Sequence, residues 1–478
     1  MPLARFWKNP QGNVAPLFGL ALIPLIASVG AAVDYSRASA ARTAFQSSLD
    51  SAALMLSKTA ATTPDDTVLT AAATAYVNAM FHSPNAANVT VHAHYTPDGG
   101  SQVQLTGSAT VTTNFLSIIG FDQLNINAST TSTWGNTRLR IALVLDNTGS
   151  MAQGGTRSNN YTSKMDALKT ASHNLLTQLN NAAAGNADNV YVSIIPFSKD
   201  VNVGSSNNVE SWLYWDDGVT TADNFWDALN GSCNRTGSAF TTRSKCLAVN
   251  VCSKSSHTTQ TDCTSHNGTW YTTAGTWTHA AHTTWNGCVT DRDQNFDTTN
   301  DAPGAGGTLY PTEQYGSCPT SLIQLSNNWT DLSAKIDAMS PAGNTNQAIG
   351  LQLGWQSLTA SPFTVPPKDP TYQYTQVVIL LTDGLNTEDR WYSCPSNGPC
   401  PTIDGREQTT CANIKNAGIT IYAVQVNTGN DPTSTLLQNC ASNTPGTLDH
   451  FFLLTSPEQI VSTFNQIGTA MTNLRLAM

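Results

Sequence analysis

The hydrophobic pattern changes character three times along the chain. From Val14 to Val33 there is no charged residue, and a stretch of about 20 residues just suffices to cross a bilayer as a helix. Beyond it Ala38, Ala41, Phe45, Leu49, Ala52 and Leu56 recur every three or four residues, which is the spacing of one apolar helix stripe. One long helix over 1–58, membrane-embedded across 14–33 and amphipathic afterwards, accounts for both patterns. An ordinary surface helix would carry the same narrow stripe. After the turn Thr62-Thr63-Pro64-Asp65-Asp66, Thr67 to Phe81 reads as a short helix. Val89–Tyr95 and Gln102–Thr113 then alternate in the manner of strands around the turn Pro97-Asp98-Gly99-Gly100, and Leu124–Trp134 is a third strand. These elements make a small α+β module over 59–135.

From Arg138 onward the pattern becomes an alternation. Ile141–Leu145, Val190–Phe197, Val377–Leu381, Ile419–Val426 and Phe451–Leu454 read as strands. Ser163–Ala183, Asn346–Leu358, Gln408–Ala417 and Glu458–Leu474 read as helices. Such alternation implies a doubly wound, mostly parallel α/β sheet over 136–478. It breaks between Lys199 and Asn328, a stretch with no helical period that holds six of the ten cysteines and six of the eleven tryptophans. A structureless loop of that length is unusual in a compact domain, so a disulfide-pinned insertion over 199–328 is expected. Its tryptophans either fill the core of a loop-rich segment or mark an exposed binding surface; the first is expected.

Composition narrows the partners and the compartment. The chain has 478 residues, too many for one ordinary domain, and a formal charge of −10, which argues against nucleic acid as a partner. Arg5 and Lys8 precede the apolar run, so the positive-inside rule keeps the N-terminus cytoplasmic and sends the rest across. The rival reading is a signal peptide cleaved near Val29-Gly30-Ala31. All ten cysteines lie between Cys233 and Cys440. An even number on the exported side reads as disulfides, with Cys394–Cys400 the expected local bridge and Cys411 able to pair with Cys440. Zinc held among Cys252, Cys263, His266, His279 and His282 is the alternative, weakened by the absence there of a Cys-x-x-Cys pair.

The candidate chemistry sits in loops that follow buried strands. Asp146-Asn147-Thr148-Gly149-Ser150 follows Ile141–Leu145 and offers one carboxylate and two hydroxyls. Thr345 lies in Pro341-Ala342-Gly343-Asn344-Thr345, and Asp383 ends the strand that includes Val377–Leu381. Brought to one sheet edge, Asp146, Thr148, Ser150, Thr345 and Asp383 form an all-oxygen set. Such a set suits a hard divalent cation, Mg²⁺ or else Mn²⁺ or Ca²⁺. The bland reading makes Asp146 a helix cap and Asp383 a turn former. Asp291-Arg292-Asp293-Gln294-Asn295-Phe296-Asp297 spaces oxygens as a calcium loop does. Phe296, however, stands where Gly is wanted, so a solvated loop is expected. No Gly-x-Ser-x-Gly elbow, His-Glu-x-x-His or Walker-type loop occurs, and an enzyme is not expected.

The segment from Arg138 to the C-terminus resembles a von Willebrand factor A domain. Asp146-x-Thr148-x-Ser150, Thr345 and Asp383 resemble that family's metal-ion-dependent adhesion site, with Thr148 where Ser is commoner. The resemblance implies direct ligation by Thr148 and Ser150, ligation by Thr345 directly or through water, and mostly water-mediated roles for Asp146 and Asp383. With few anionic ligands, the cation keeps charge for an acidic oxygen from a partner protein. The N-terminal residues Gly12-Asn13-Val14-Ala15, Val33-Asp34-Tyr35-Ser36-Arg37 and Leu49-Asp50-Ser51-Ala52-Ala53-Leu54 are similar to TadG-like proteins of tight-adherence (Flp) pilus assembly. In the related pseudopilins a Glu sits five residues after the processing Gly; here Leu17 holds that place relative to Gly12. The two resemblances together imply a single-pass inner-membrane protein with a periplasmic bulk. It would act in pilus assembly through metal-dependent adhesion, with pilus-assembly components among its partners. The competing class is an adhesin passed to the cell surface, gripping a host or abiotic surface through the insertion.

Overall fold

A computed structural model of the chain describes residues 14–96, 101–134, 137–153, 163–183, 186–216, 225–359, 361–395, 398–428 and 432–476. Arg5, Lys8, Gly12 and the expected turn at 97–100 lie outside the described residues. The chain divides into two compact units, with the boundary between Thr137 and Arg138.

The first unit is built on one helix, α1 (Val14–Thr62). It is long and apolar enough at its start to cross a membrane. Its second half buries the predicted stripe: Phe45, Leu49, Ala52 and Leu56 are fully enclosed. They pack with α2 (Asp66–Met80) on an antiparallel meander of β1 (Ala86–Thr96), β2 (Ser101–Thr112) and β3 (Gln123–Trp134). Asp65 starts α2 by accepting the N–H groups of Thr67 and Val68, satisfying donors that the first turn leaves open. The stripe therefore belongs to the core of a folded unit, and the helix does not end where the apolar run does.

The second unit is a three-layer α/β fold. β4 (Thr137–Asp146) is buried along its whole length, as its apolar run Ile141–Leu145 demands, and its start buries Arg138 and Arg140 as well. Its centre is an eight-stranded sheet. After α3 (Lys164–Ala183) comes β5 (Val190–Phe197), parallel to β4. Later come β9 (Gln373–Thr382), β10 (Thr420–Val426) and β11 (Phe451–Leu454), with β9–β10 and β10–β11 parallel. The odd-numbered apolar residues of β4, Leu139 to Leu145, face α3, α4 (Trp329–Asp337) and α8 (Glu458–Leu476). Ala142 and Val144 face α5 (Gln347–Thr359), α6 (Pro401–Asn416) and α7 (Thr435–Cys440). Gly354 lets α5 approach this closely, because a Cβ there would stand 2.5 Å from Val144 Cγ2.

The disulfide-pinned insertion over 199–328 does not stand apart from the sheet. Its ends are woven into the main sheet. β6 (Val201–Asn202) pairs with β5, β7 (Cys288–Val289) pairs with β6, and β8 (Ile323–Ser326) pairs with β5 on the same edge as β6, opposite β4, all antiparallel. The sheet order is β7-β6-β5-β4-β9-β10-β11 with β8 beside β5. Trp226, Trp285 and Tyr310 of the insertion join the second core layer. None of its six tryptophans is exposed, in keeping with the core-filling expectation. Cys233–Cys246, Cys252–Cys263 and Cys288–Cys318 pin it, and Cys394–Cys400 and Cys411–Cys440 complete the pairing.

Candidate metal centre

Asp146 is the last residue of β4, and Thr382 is the last of β9. These strands are neighbours, so the loops leaving them emerge side by side at one sheet edge, where open α/β sheets place ligands. Asp146 is wholly buried. Its Oδ1 accepts the Thr148 N–H at 2.8 Å, and its Oδ2 accepts the Thr382 hydroxyl at 2.8 Å and the Asp383 N–H at 3.4 Å. Asp146 thereby ties the two loops together. The Thr148 and Ser150 hydroxyls lie 3.1 Å apart, and Ser150 Oγ donates to Asp383 Oδ1 at 2.7 Å. Four of the five predicted residues thus form one connected constellation.

Thr345 stands on a third loop held against the first. Asn147 donates from its side chain to the Ser340 carbonyl, its own carbonyl accepts from Ala342, and Gly149 N–H donates to the Gly343 carbonyl at 3.1 Å. Gly343 has φ +86° and packs under Tyr315, where a Cβ would come within 2.7 Å of the Tyr315 hydroxyl. The recorded bonds of Thr345 run through its backbone: its N–H reaches Thr387 Oγ1, and its carbonyl accepts from Thr387 and Glu388. Tyr315, which also accepts the Asn344 N–H at 3.0 Å, belongs to the insertion. The insertion therefore borders this edge.

The edge is buried: Asp383 is only 7% exposed and Lys164 only 5%. Lys164 Nζ donates to Asp383 Oδ2 at 2.7 Å. Lys164, in the first turn of α3, carries no sequence motif, and the pairing spans 219 residues of chain. Burial, reinforced by the Asp383 charge, pushes the Asp146 carboxyl up to about 7, against the pull of its bonds to Thr148 and Thr382. Two closely placed carboxylates and two hydroxyls, with one ammonium on a single oxygen, are a donor set that a hard cation fits.

Two rival cation readings fail. Cys252 and Cys263 are bonded to each other, which removes the zinc set. His266 turns to Asp262 with His257, and His279 and His282 turn to Asp227. His257 and His282 are hydrogen-bonded to these carboxylates at 2.9 and 2.8 Å, His266 and His279 bond to the backbone carbonyls of Asp262 and Ala280, and His282 stacks on Trp215 at 3.7 Å. The segment 291–297 is not a calcium loop: Asp293 to Phe296 are exposed, as expected of a solvated loop, while its ends are buried. Asp291 is buried and accepts from Asn346 and the Arg390 N–H, Asp293 pairs with Arg390, and Asp297 pairs with Arg406. Its carboxylates fasten the insertion to the core instead of converging.

Residues 306–466 match the von Willebrand factor type A domain, and residues 12–57 match the Flp pilus-assembly TadE/G-like family. The chain joins a TadE/G-like pilus-assembly segment to a von Willebrand A domain. The A-domain match begins beyond β4 and β5, and the sheet order brings those strands into the same domain. No curated protein matches the chain. Among solved structures, the pilus adhesin SpaC of Lactobacillus rhamnosus GG aligns with 83% of this chain and 36% of its own, at 13% identity and TM-score 0.35. The PilB minor pilin of Streptococcus sanguinis aligns over 80% and 79% at 12% identity and TM-score 0.34. The von Willebrand domain of the type V pilus tip protein Mfa5 of Porphyromonas gingivalis aligns over 72% and 97% at 9% identity and TM-score 0.33. This chain spans about a third of the length of SpaC.

Proposed function

We propose that this chain is a membrane-anchored envelope protein of tight-adherence pilus assembly. It binds a partner protein through Mg²⁺, or a similar hard cation, held by its A domain. The observation that carries this reading is the connected set Asp146, Thr148, Ser150 and Asp383, with the Thr345 loop clamped against it. The reading is further supported by the TadE/G-like segment and by the apolar first half of α1 in the same chain. Thr148, Ser150 and Thr345 would hold the ion through neutral hydroxyls, and Asp146 and Asp383 would orient them and hold its waters. When bound, the cation supplies a positive centre for an acidic side chain of the partner. The test is a pull-down from envelope extracts with the full chain, in Mg²⁺ and in chelator, beside Ser150→Ala. Capture of pilus-assembly components that depends on both Mg²⁺ and Ser150 supports the reading. Equal capture in chelator removes it.

A second reading draws on Tyr315 and the insertion at the edge of the site. There the chain is a released or surface adhesin, and the insertion grips the target. Cell fractionation separates the two: the assembly factor stays in the envelope, and the adhesin appears outside.

A further inference from the structure

We propose that the loop 115–121 is a second membrane contact, with Phe115, Ile118, Ile119 and Phe121 seated in the headgroup–acyl boundary of the bilayer that α1 enters. This rests on the anchor reading of α1 and adds a surface to it. Ile118 is 81% exposed, Phe121 60% and Ile119 58%, and residues 113–121 carry no charge. So compact an apolar tip is a poor fit to water and marks a contact surface.

Its position supplies the occupant. Phe115 packs over α1 at Gly30, where a Cβ would meet Phe115 Cβ at 2.5 Å. Gly30 lies three residues before the end of the apolar run, roughly 4.5 Å along a helix. The loop is therefore level with the last turn of the apolar run, the depth at which interfacial segments bury an apolar face, ~5–10 Å. The same helix exposes Leu20, Ile23, Leu25, Ile26 and Val29 through the apolar run.

The loop is also prepared to leave water. Asp34, one residue past the apolar run, is buried and accepts the N–H groups of Asn114, Phe115 and Leu116 at 3.1, 2.8 and 2.8 Å. The N–H groups of Ile118, Gly120 and Phe121 bond inside the tip to Phe115, Ser117 and Leu116. Backbone groups facing lipid need such partners. Asp34 thus fixes the loop to α1 and satisfies its own charge at the boundary.

The experiment uses the full chain in nanodiscs with one nitroxide label. All ten native cysteines are in disulfides, so a single added thiol labels selectively. Labels go at Ile118→Cys, at Leu22→Cys in the span, and at Gln104→Cys, roughly 27 Å along β2 from Thr112. Positions 118 and 22 should be open to oxygen and shielded from a water-soluble nickel chelate, and position 104 should be open to nickel. Gly30→Leu should expose the label at 118 and leave the one at 22 shielded. A nickel-accessible 118 beside a shielded 22 overturns the inference alone. If 22 is also accessible, the anchor reading fails and takes this inference with it. Shielding of 118 that needs two chains per disc makes the patch a self-contact, which also overturns it.

Discussion

Lys164 changes what a substitution at the metal edge reports. Removing Asp383 as Asp383→Ala strands a buried ammonium, and breaking a buried pair from one side costs about 3–5 kcal/mol. That variant should lose partner binding largely through lost stability, seen as a lower unfolding midpoint even in chelator. Ser150→Ala removes a hydroxyl and no charge. It should weaken Mg²⁺ binding by calorimetry roughly 10–100-fold or more with little change in melting temperature. Lys164→Met should tighten Mg²⁺, because the ammonium then no longer competes for Asp383 Oδ2. Unchanged Mg²⁺ affinity in both variants would put the cation elsewhere.

Glu407 is a second buried acid, outside the metal edge. Burial holds its carboxyl up at about 8 against an ordinary 4.5, despite the Asn386 bond and with help from the Asp404 charge. The folded state therefore binds this proton more tightly than the unfolded chain does. Its stabilising share is complete below pH 4.5 and is lost as pH rises through 8. Glu407→Gln should flatten the fall in melting temperature over that window and raise stability at pH 8. An unchanged pH profile would mean that Glu407 does not titrate there. Neither Lys164 nor Glu407 was legible in the sequence, since each stands on a helix with no motif and gains its role from a partner on another element. Asp146, Thr148, Ser150 and Asp383 were legible because they follow apolar strands whose ends a parallel sheet aligns.

Among elements, the contact between α5 and β4 is the tightest test of the core. Gly354→Val would drive a branched side chain into Val144. Overpacking of this kind costs about 1–3 kcal/mol, measurable by denaturant unfolding. The insertion must likewise be cut by element. Deleting residues 199–328 would remove β6, β7 and β8 together with Trp226, Trp285 and Tyr310, so the core would not survive it. Residues 231–279 are different: the Ala280 N–H donates to the Asn230 carbonyl at 2.8 Å and closes their base. This segment holds Cys233–Cys246 and Cys252–Cys263 within itself. Replacing it by a short Gly-Ser linker should leave a folded A domain that still binds Mg²⁺. Loss of attachment in that variant would assign target selection to the excised segment, and retained attachment would assign it to the metal edge and Tyr315.

For the whole molecule, the anchor reading predicts that protease added to spheroplasts digests the chain from Asp34 onward, and that the protein stays with the envelope. A mature protein beginning near Ala32 would instead show a cleaved signal. Ser150→Ala cells should lose surface pili if the chain assembles them. Normal piliation with lost adhesion would favour the adhesin reading.

The sequence by itself determined the order and type of the long elements, because periods of 3.6 and near-continuous apolar runs are local properties of the chain. It also marked the A-domain motif and the apolar run of α1. Tertiary structure alone decided the rest. It put β6, β7 and β8 of the insertion into the main sheet, since two- to four-residue strands exist only through the partner that supplies their hydrogen bonds. It set Lys164 on Asp383 and Asp34 on the 114–116 backbone, pairings made across long stretches of chain by packing that no local pattern encodes. It turned the acidic run 291–297 from an apparent ion loop into a set of anchors, because Arg390 and Arg406 arrive from distant elements to neutralise it.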